Sequence, residues 1–538
     1  MKTDMSRDVN EVHRVNCFVE NKPGVLARIV GLISGRGCNI QTLNVGPTDD
    51  GTVSRMRIDV SGSAKVVEQI ILQLRNQVNV MEVTSRRRTL AFLLMLLPAF
   101  SSQAEVSFDA GADFRMRQEI YDNAPGLPGG GLLSSAPYGK YTNRMRFRPR
   151  VWGELKFEDR LRIYTRFTDE FRWNIQPDVR SSRFPDEVFL DNLFVEGRGF
   201  FDGFLDFTVG RQDVFKLYGL EHIFQDATPN DGSRSLFADM MRFTLNFTEE
   251  SKLDLFGLYL QDVNHLRWGN SLSDNRSLTG LGGSNVEPER DEWGLGAVWS
   301  SHFDESLAYQ FYVIHKNVSA YRRGDRKIPS ARRETAGFKL VPQLDEEWSL
   351  QLEAIGQVGE IGSGKTLYGW LSYVGANWKS AAESSVVPFA SAGVLLMSGS
   401  KDTADVEGGS GAWDPMWARS VRYSEIFLAG THYGTCWWSN LYYLKMEAGL
   451  EFGQRHNISI TSGPMFAAAD DGLGGGDGSY KGYLNTFHYN FPLLLADRQK
   501  GERFEIFGHI HAELFNPGDY FETGRPAWFV RWQVEFKF

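Results

Sequence analysis

Cysteine is almost absent from this chain: Cys17, Cys38 and Cys436 are the only three in 538 residues. Only Cys436 lies in the last four-fifths of the sequence, so that part cannot close an internal disulfide. Three scattered thiols also lack the spacing of a zinc site. A cationic excess is missing too. Lys and Arg number 58 against 67 Asp and Glu, a net charge of −9, which argues against general nucleic-acid binding. No apolar run approaches the ~20 residues that a membrane-crossing helix requires. What the chain does have is aromatic side chains (13%) and 55 glycines at a mean hydropathy of −0.32. That combination is unusual for a soluble enzyme and suits a transmembrane β-barrel, whose strands are individually weak in hydropathy. The length allows several ordinary domains, or one small domain and one large barrel.

The longest apolar stretch sits in an unexpected place. Arg86, Arg87 and Arg88 precede Leu90–Phe100, and Ser102-Gln103-Ala104 then places small residues before Glu105. A positive segment, a short apolar segment and a small-residue cleavage site make a secretory signal peptide, here residues 86–104. Its roughly 11 apolar residues are too few to span a bilayer as a helix. The expectation is a cytosolic-type segment before it and an exported one after it. Met81 opens MEVTSRRRTLAFLLMLLPAFSSQA, by itself a complete N-terminal signal peptide. The exported protein is therefore expected to initiate near Met81 and to mature at Glu105.

In the first eighty-five residues, His13–Glu20 reads as a strand and Asn21-Lys22-Pro23-Gly24 as a turn. Val25–Ser34 has helical spacing of Val25, Ile29, Leu32 and Ile33. Strands at Asn39–Val45, Ser54–Val60 and Asn79–Thr84 follow, with a second amphipathic helix over Ala64–Gln77. The order β-α-β-β-α-β is the ferredoxin-like split βαβ pattern. The runs ENKPGVLAR, RGCNIQTLNVGPTD and SRM, in that order, resemble the N-terminal ACT domain of the acetolactate synthase small (regulatory) subunit over residues 11–85. The resemblance implies an effector site for a branched-chain amino acid, usually valine, between paired ACT domains. On this chain it falls on Asn21, Gly24, Asn39 and Ile40. It also implies the acetolactate synthase catalytic subunit as a partner. The family continues into a second domain of comparable size, whereas this chain runs into the signal-like stretch.

From Glu105 the period changes to two. In Val106–Glu119 an apolar face (Phe108, Ala110, Ala112, Phe114, Met116) alternates with a polar one carrying Asp113, Arg115, Arg117 and Glu119. In Asn143–Trp152, Arg144, Arg146, Arg148 and Arg150 share a face; in Leu161–Trp173, Arg162, Arg166, Glu170 and Arg172 do. Comparable segments recur at 241–247, 252–260, 292–299, 307–315, 348–358, 367–378, 440–452 and 503–515. They are near the ~9–11 residues of a tilted membrane strand. Trp152, Trp173, Trp299, Trp370, Trp378 and Trp528 sit near segment ends, as interfacial girdles do. Glycine-rich loops fall at 126–131, 270–290, 399–411 and 468–480. The last segment, Ala527–Phe538, alternates to a terminal phenylalanine. Such a strand resembles the signal read by the barrel assembly machinery of outer-membrane proteins. The fold class predicted is thus mainly β: a large antiparallel transmembrane barrel of roughly 16–18 strands after a small α+β ACT domain.

FRMRQE at 114–119, VGRQD at Val209–Asp213, WDPMWAR at Trp413–Arg419 and FGHIHAELFNPGDY at Phe507–Tyr520 resemble the alginate export family. That resemblance covers residues 105–538 and implies a polyuronate-conducting channel in the bacterial outer membrane, surrounded by lipid. A pore for anionic or sugar-like solutes needs cations on its wall. Arg115, Arg117, Arg144, Arg146, Arg148, Arg150, Arg162, Arg166 and Arg172 are the candidates, with Arg211 and Arg242 as further ones. The competing assignment is structural: each pairs with a carboxylate such as Asp109, Asp113, Glu119, Glu154 or Glu170. His509, His511 and Glu513 share a strand face. However, i, i+2 spacing spreads ligands by roughly 7 Å, too far for one metal without a neighbouring strand. No nucleophile with an assigned base stands out, so an outer-membrane hydrolase is the weaker alternative. No catalytic residue, metal or cofactor is assigned. Gly359–Thr366 fits the P-loop pattern, but the aromatic run after it reads as a strand, making it a hairpin turn.

Overall fold

The computed structural model describes residues 11–36, 38–47, 52–62, 66, 69–70, 73–74, 79–86, 106–123, 141–158, 160–176, 184–185, 188–213, 217–225, 237–260, 267–268, 291–323, 326–362, 364–401, 411–418, 423–426, 439–470, 475–497, 502–522 and 524–538. The chain divides into two compact units, 1–104 and 105–538. The signal-like residues 87–104 and Cys436 lie outside the described residues.

In the first unit, β1 (Glu11–Glu20), α1 (Val25–Ser34), β2 (Asn39–Pro47), β3 (Val53–Gly62) and β4 (Val80–Arg86) build a sheet ordered β2-β3-β1-β4. The β1–β3, β2–β3 and β1–β4 pairs are antiparallel, the ferredoxin-like arrangement. Gly24 caps α1 at φ 87°, a left-handed conformation that glycine adopts without steric cost. Val25, Ile29 and Ile33 face the sheet and pack with Val15, Cys17, Val19, Met56, Ile58 and Val60. The second expected helix lies mostly outside the described residues, but its Ile70 and Leu74 are buried in this core. Cys17 and Cys38 are free and buried, and burial pushes the Cys17 thiol up to about 11.

The second unit is a closed antiparallel barrel, with eighteen strands among the described residues. In chain order they are β5 (Val106–Asp122), β6 (Thr142–Phe157), β7 (Leu161–Thr168, resuming as Phe171–Gln176), β8 (Val188–Phe200), β9 (Leu205–Asp213), β10 (Phe237–Asn246), β11 (Lys252–Leu260), β12 (Glu292–Phe303) and β13 (Leu307–Val318). There follow β14 (Ala331–Pro342), β15 (Trp348–Ile361), β16 (Lys365–Lys379), β17 (Val386–Met397), β18 (Leu441–Phe452), β19 (His456–Phe466), β20 (Tyr480–Leu494), β21 (Glu505–Pro517) and β22 (Ala527–Lys537). Each pairs with its sequence neighbour, and β22 closes on β5 with Arg531 opposite Glu119. Residues 161–173, read as one strand in the sequence, break at Asp169-Glu170, where the Asp169 N–H donates to the carbonyl of Pro149. The P-loop look-alike is the β15–β16 hairpin, Ile361 opposite Lys365.

Alternation decides which face is which. Leu255, Leu295, Val313, Val358, Tyr368, Trp370, Val374, Val394, Met446 and Ile460 point outward and are exposed. An apolar surface this extensive is a cost in water and a requirement in lipid. The opposite face of every strand turns into the barrel. Trp152 corrects the expected girdle: it stacks on inward-facing Tyr164 and occupies the space over Gly111, where a Cβ would meet its ring at 2.5 Å.

Candidate functional site

The nine arginines singled out in the sequence lie on three adjacent strands, β5, β6 and β7, and their ion pairs knit one inner arc. Glu119 pairs with Arg117 at 2.9 Å, Arg144 at 2.6 Å and Arg146 at 3.0 Å. Glu170 pairs with Arg146 at 2.6 Å, Arg172 at 3.2 Å and Arg115 at 3.6 Å. Asp113 holds Arg150 at 2.8 Å, and Glu535 lies 3.6 Å from Arg148. Arg162 bridges Glu154 and Glu196, and Arg166 bridges Asp191 and Asp213. Arg115, Arg117, Glu119 and Glu170 are each at most 2% exposed. Desolvating such charges is costly unless several partners share the burden. That is why Glu170 sits at the β7 break, within reach of both β5 and β6. Each of the five carboxylates proposed as partners is in an ion pair, Asp109 with Arg503. Of the further candidates, Arg211 pairs with Asp239 at 2.8 Å and Arg242 lies over the Tyr218 ring.

The other side of the barrel interior is built differently. Phe256, Leu258, Leu260, Val298, Tyr312, Ile314, Ile355, Leu371, Leu395 and Leu441 of β11–β18 turn inward and are buried. Two chain segments cover them. Phe224 of 217–225 stacks on Trp417 of 411–418 at 5.4 Å and 12°, and the Trp417 N–H donates to the carbonyl of Ile223 at 2.9 Å. Gly294 and Gly369 mark the closest approach: a Cβ at Gly294 would meet the Trp417 ring at 2.4 Å, and one at Gly369 the Ala412 carbonyl at 2.7 Å. Polar wall residues tether the segments. Asp414 pairs with Arg333 at 2.7 Å, and its backbone exchanges two 2.9 Å hydrogen bonds with the Gln357 amide. Lys316 donates to the carbonyl of Met416. His222 lies between Glu353 and Tyr423, 2.8 Å from each. Glu513 accepts from the Ser424 hydroxyl and the N–H groups of Glu425 and Ile426.

His509, His511 and Glu513 do share the inner face of β21. Sequence reading missed their neighbour on β20: His488 stands directly opposite His511. One ring nitrogen from each of the three histidines lies within 4.8 Å of the others. Cross-strand register, which the sequence does not state, is what brings His488 in. The WDPMWAR run was noticed only for its resemblance; two tryptophans directly after the glycine-rich loop 399–411 were the available sign of an inward segment.

The expected effector residues do not converge within one first unit. Asn21 follows the end of β1, its N–H bonded to the carbonyl of Thr52, and Asn39 opens β2 opposite Ser61. Position 53 and position 61 lie at the two ends of β3, about 25 Å apart at strand rise. The β1–α1 turn is held by Glu20, which accepts from Lys22 at 3.0 Å and from the Asn79 amide at 2.6 Å. Those bonds hold the Glu20 carboxyl below the usual carboxylate range.

Comparison with known proteins divides along the same line as the fold. Residues 15–82 match the family described as "AHAS small subunit-like ACT domain". Over 72 residues they are 50% identical to a probable acetolactate synthase small subunit of Archaeoglobus fulgidus, 13% of this chain and 45% of that one. Over 70 residues they are 49% identical to the acetolactate synthase isozyme 3 small subunit of Escherichia coli, 13% of this chain and 43% of that one. The chain thus spans less than half the length of these curated relatives. Among solved structures, the outer membrane protein OprD of Pseudomonas aeruginosa aligns with 81% of this chain and 95% of its own at 11% identity and a TM-score of 0.47. OccAB1 of Acinetobacter baumannii aligns with 81% and 100% at 10% identity and a TM-score of 0.47. The chain joins a segment, residues 15–82, that matches the acetolactate synthase small-subunit-like ACT domain to a closed antiparallel barrel of eighteen strands among the described residues.

Proposed function

We propose that residues 105–538 form an outer-membrane channel that passes anionic or sugar-like solutes along the arginine arc. The reading rests on one observation: Glu119 and Glu170 between them take the ion pairs of five arginines, Arg115, Arg117, Arg144, Arg146 and Arg172. Five guanidiniums around two carboxylates make this cluster net positive, while the neighbouring Arg148, Arg150, Arg162 and Arg166 are matched by Asp113, Glu535, Glu154, Glu196, Asp191 and Asp213. Such a surface attracts carboxylate-bearing solutes and offsets their desolvation. The resemblance to the alginate export family supports a polyuronate as the solute. All four of its motifs supply inward side chains here: Arg115 and Arg117, Arg211, Trp417, and His509 and His511. Planar-bilayer recording tests the reading. The barrel should conduct with anion preference, and replacing Arg144, Arg146 and Arg148 together by Gln should remove that preference. A barrel that inserts and does not conduct would refute it.

We further propose that the working exported protein initiates near Met81 and is cleaved before Glu105. The division of the chain between residues 104 and 105 supports this; initiation at Met81, inside β4, would discard β1–β3. Edman sequencing of the membrane-inserted form should begin at Glu105; a form retaining residues 1–80 would overturn the proposal. When the ACT segment is made, its valine site requires a second copy, because Asn21 and Asn39 sit at opposite ends of one sheet.

A further inference from the structure

We propose that His488, His509 and His511 form a zinc site on the inner wall of the barrel. Three facts of geometry carry it. The donor nitrogens already cluster: His488 Nδ1 and His511 Nδ1 are 3.0 Å apart, and one nitrogen of each of the three rings lies within 4.8 Å of the others. Zinc bound to imidazole at about 2.0–2.1 Å in a tetrahedral shell sets its ligand nitrogens about 3.4 Å apart, so small side-chain rotations close the site. The backbone beneath is rigid, because His488 and His511 are direct cross-strand partners and His509 is two residues along the same face.

The second fact is that two rings have their far nitrogen already engaged by an acceptor. His511 Nε2 lies 2.7 Å from Glu513 Oε1, and an ionised carboxylate only accepts, so Nε2 carries the proton. His509 Nδ1 lies 2.7 Å from Asn490 Oδ1 and donates to it. Each bond fixes the tautomer and leaves the other nitrogen, His511 Nδ1 or His509 Nε2, with its lone pair toward the cluster. This is the outer-shell arrangement that orients metal-binding histidines, including the carboxylate–histidine form. Without metal, His488 Nδ1–H donates to His511 Nδ1. On loading, the His488 proton moves to Nε2 and its Nδ1 lone pair joins the ion, with no net proton release.

Third, the surroundings offset part of the charge of a divalent ion: Glu513 and Glu425 carry two negative charges against the one positive charge of Arg531. Glu513 and Glu425 lie on one side, the latter paired with Arg531 at 2.7 Å. The other Arg531 arm, 3.4 Å from His509 Nε2, must turn away when the ion enters. His488 is 9% exposed and gives the cluster its edge toward the lumen. Three neutral nitrogen donors with a fourth position open suit Zn²⁺ and exclude Ca²⁺ and Mg²⁺, which take oxygen ligands. Glu513 also anchors 424–426, so zinc at His511 would tie the wall strands to that inward segment.

The test is titration of the full chain, folded in detergent and stripped with chelator, with Zn²⁺ alone. One equivalent should bind, and Co²⁺ in its place should give the visible spectrum of a nitrogen-ligated site. His488→Gln and His509→Gln should each abolish stoichiometric binding while keeping the heat-modifiable gel mobility of a folded barrel. Asn490→Ala should weaken binding by about 10–100-fold. If the histidine variants do not fold, X-ray absorption of the wild-type zinc form decides, with a shell of three imidazoles expected. Absence of stoichiometric binding, binding unchanged in both histidine variants, or a shell lacking three imidazoles would each overturn the site.

Discussion

Two arcs of one barrel wall share an outer face and differ on the inner one. On β5–β7 the inward positions carry arginine and carboxylate; on β11–β18 leucine, isoleucine, valine and aromatic side chains form a buried apolar cluster among glycines and polar residues. The outward positions are apolar on both arcs, Val151 and Leu155 on the first and Val313 and Val374 on the second. The outer side thus stays apolar on both arcs, and the inner side depends on what it meets. Where Phe224, Trp413 and Trp417 lie against the wall, apolar side chains bury against them. On the arginine arc the inward side chains are covered instead by each other, in ion pairs.

The sharpest way to break the contrast is to remove a shared carboxylate. Glu170→Ala leaves Arg115, Arg146 and Arg172 without a common partner in a site where Glu170 is 1% exposed. Removing one member of a buried ion network costs about 3–5 kcal/mol. Urea unfolding in detergent should show a loss of that size, with less lost in Glu170→Gln, which keeps a hydrogen-bond acceptor. A loss below about 1 kcal/mol, the range of exposed ion pairs, would mean that water reaches the network and the arc is not a buried wall.

The matching change on the other arc is Trp417→Ala. It removes a fully buried ring that stacks on Phe224 and fills the space over Gly294. Truncating a buried tryptophan costs about 3 kcal/mol or more. Here the loss falls on the inward segment rather than on the strands. Unfolding of the barrel should therefore shift less than in Glu170→Ala, and single-channel conductance should rise as the lumen widens. Unchanged conductance would place 411–418 away from the conducting path.

How much of this was legible in the sequence follows from the same contrast. The period-two pattern was plainest in 143–152, where a charged inner face alternates with an apolar outer one. Strands β8, β9, β14, β17, β19 and β20 were not singled out. In Val386–Met397, for example, both faces are apolar or small, so alternation is erased. The arginine faces were visible as candidates, but their pairing to Glu170 depends on the break at Asp169 and on register. The histidine cluster was two-thirds visible: His509 and His511 share a strand, and His488 joins only through β20–β21 pairing. The inward segments carry no periodic signal, and 413–419 was noticed only for its resemblance.

The smallest expected effect lies outside the barrel and tests whether its buried charge is special. In the first unit Glu20 bonds to Lys22 and Asn79 at a surface turn, 37% exposed, rather than in a wall. Its folded carboxyl titrates below its unfolded value because Lys22, then Asn79, stabilises the anion. The stabilisation is therefore complete above the unfolded carboxylate range and is lost as the pH falls through the folded value. Asn79→Ala removes one bond from Glu20 and another from Arg28, whose guanidinium donates to the Asn79 side-chain oxygen at 3.0 Å. Hydrogen-exchange protection of the β1–α1 turn should drop slightly at neutral pH, and the variant and parent should converge in acid. Glu170→Ala should lose far more, because Arg115 and Arg146 are buried beside it, where little water can replace the missing partner. Equal losses at the two sites would remove the distinction between exposed and enclosed charge on which the arginine arc depends.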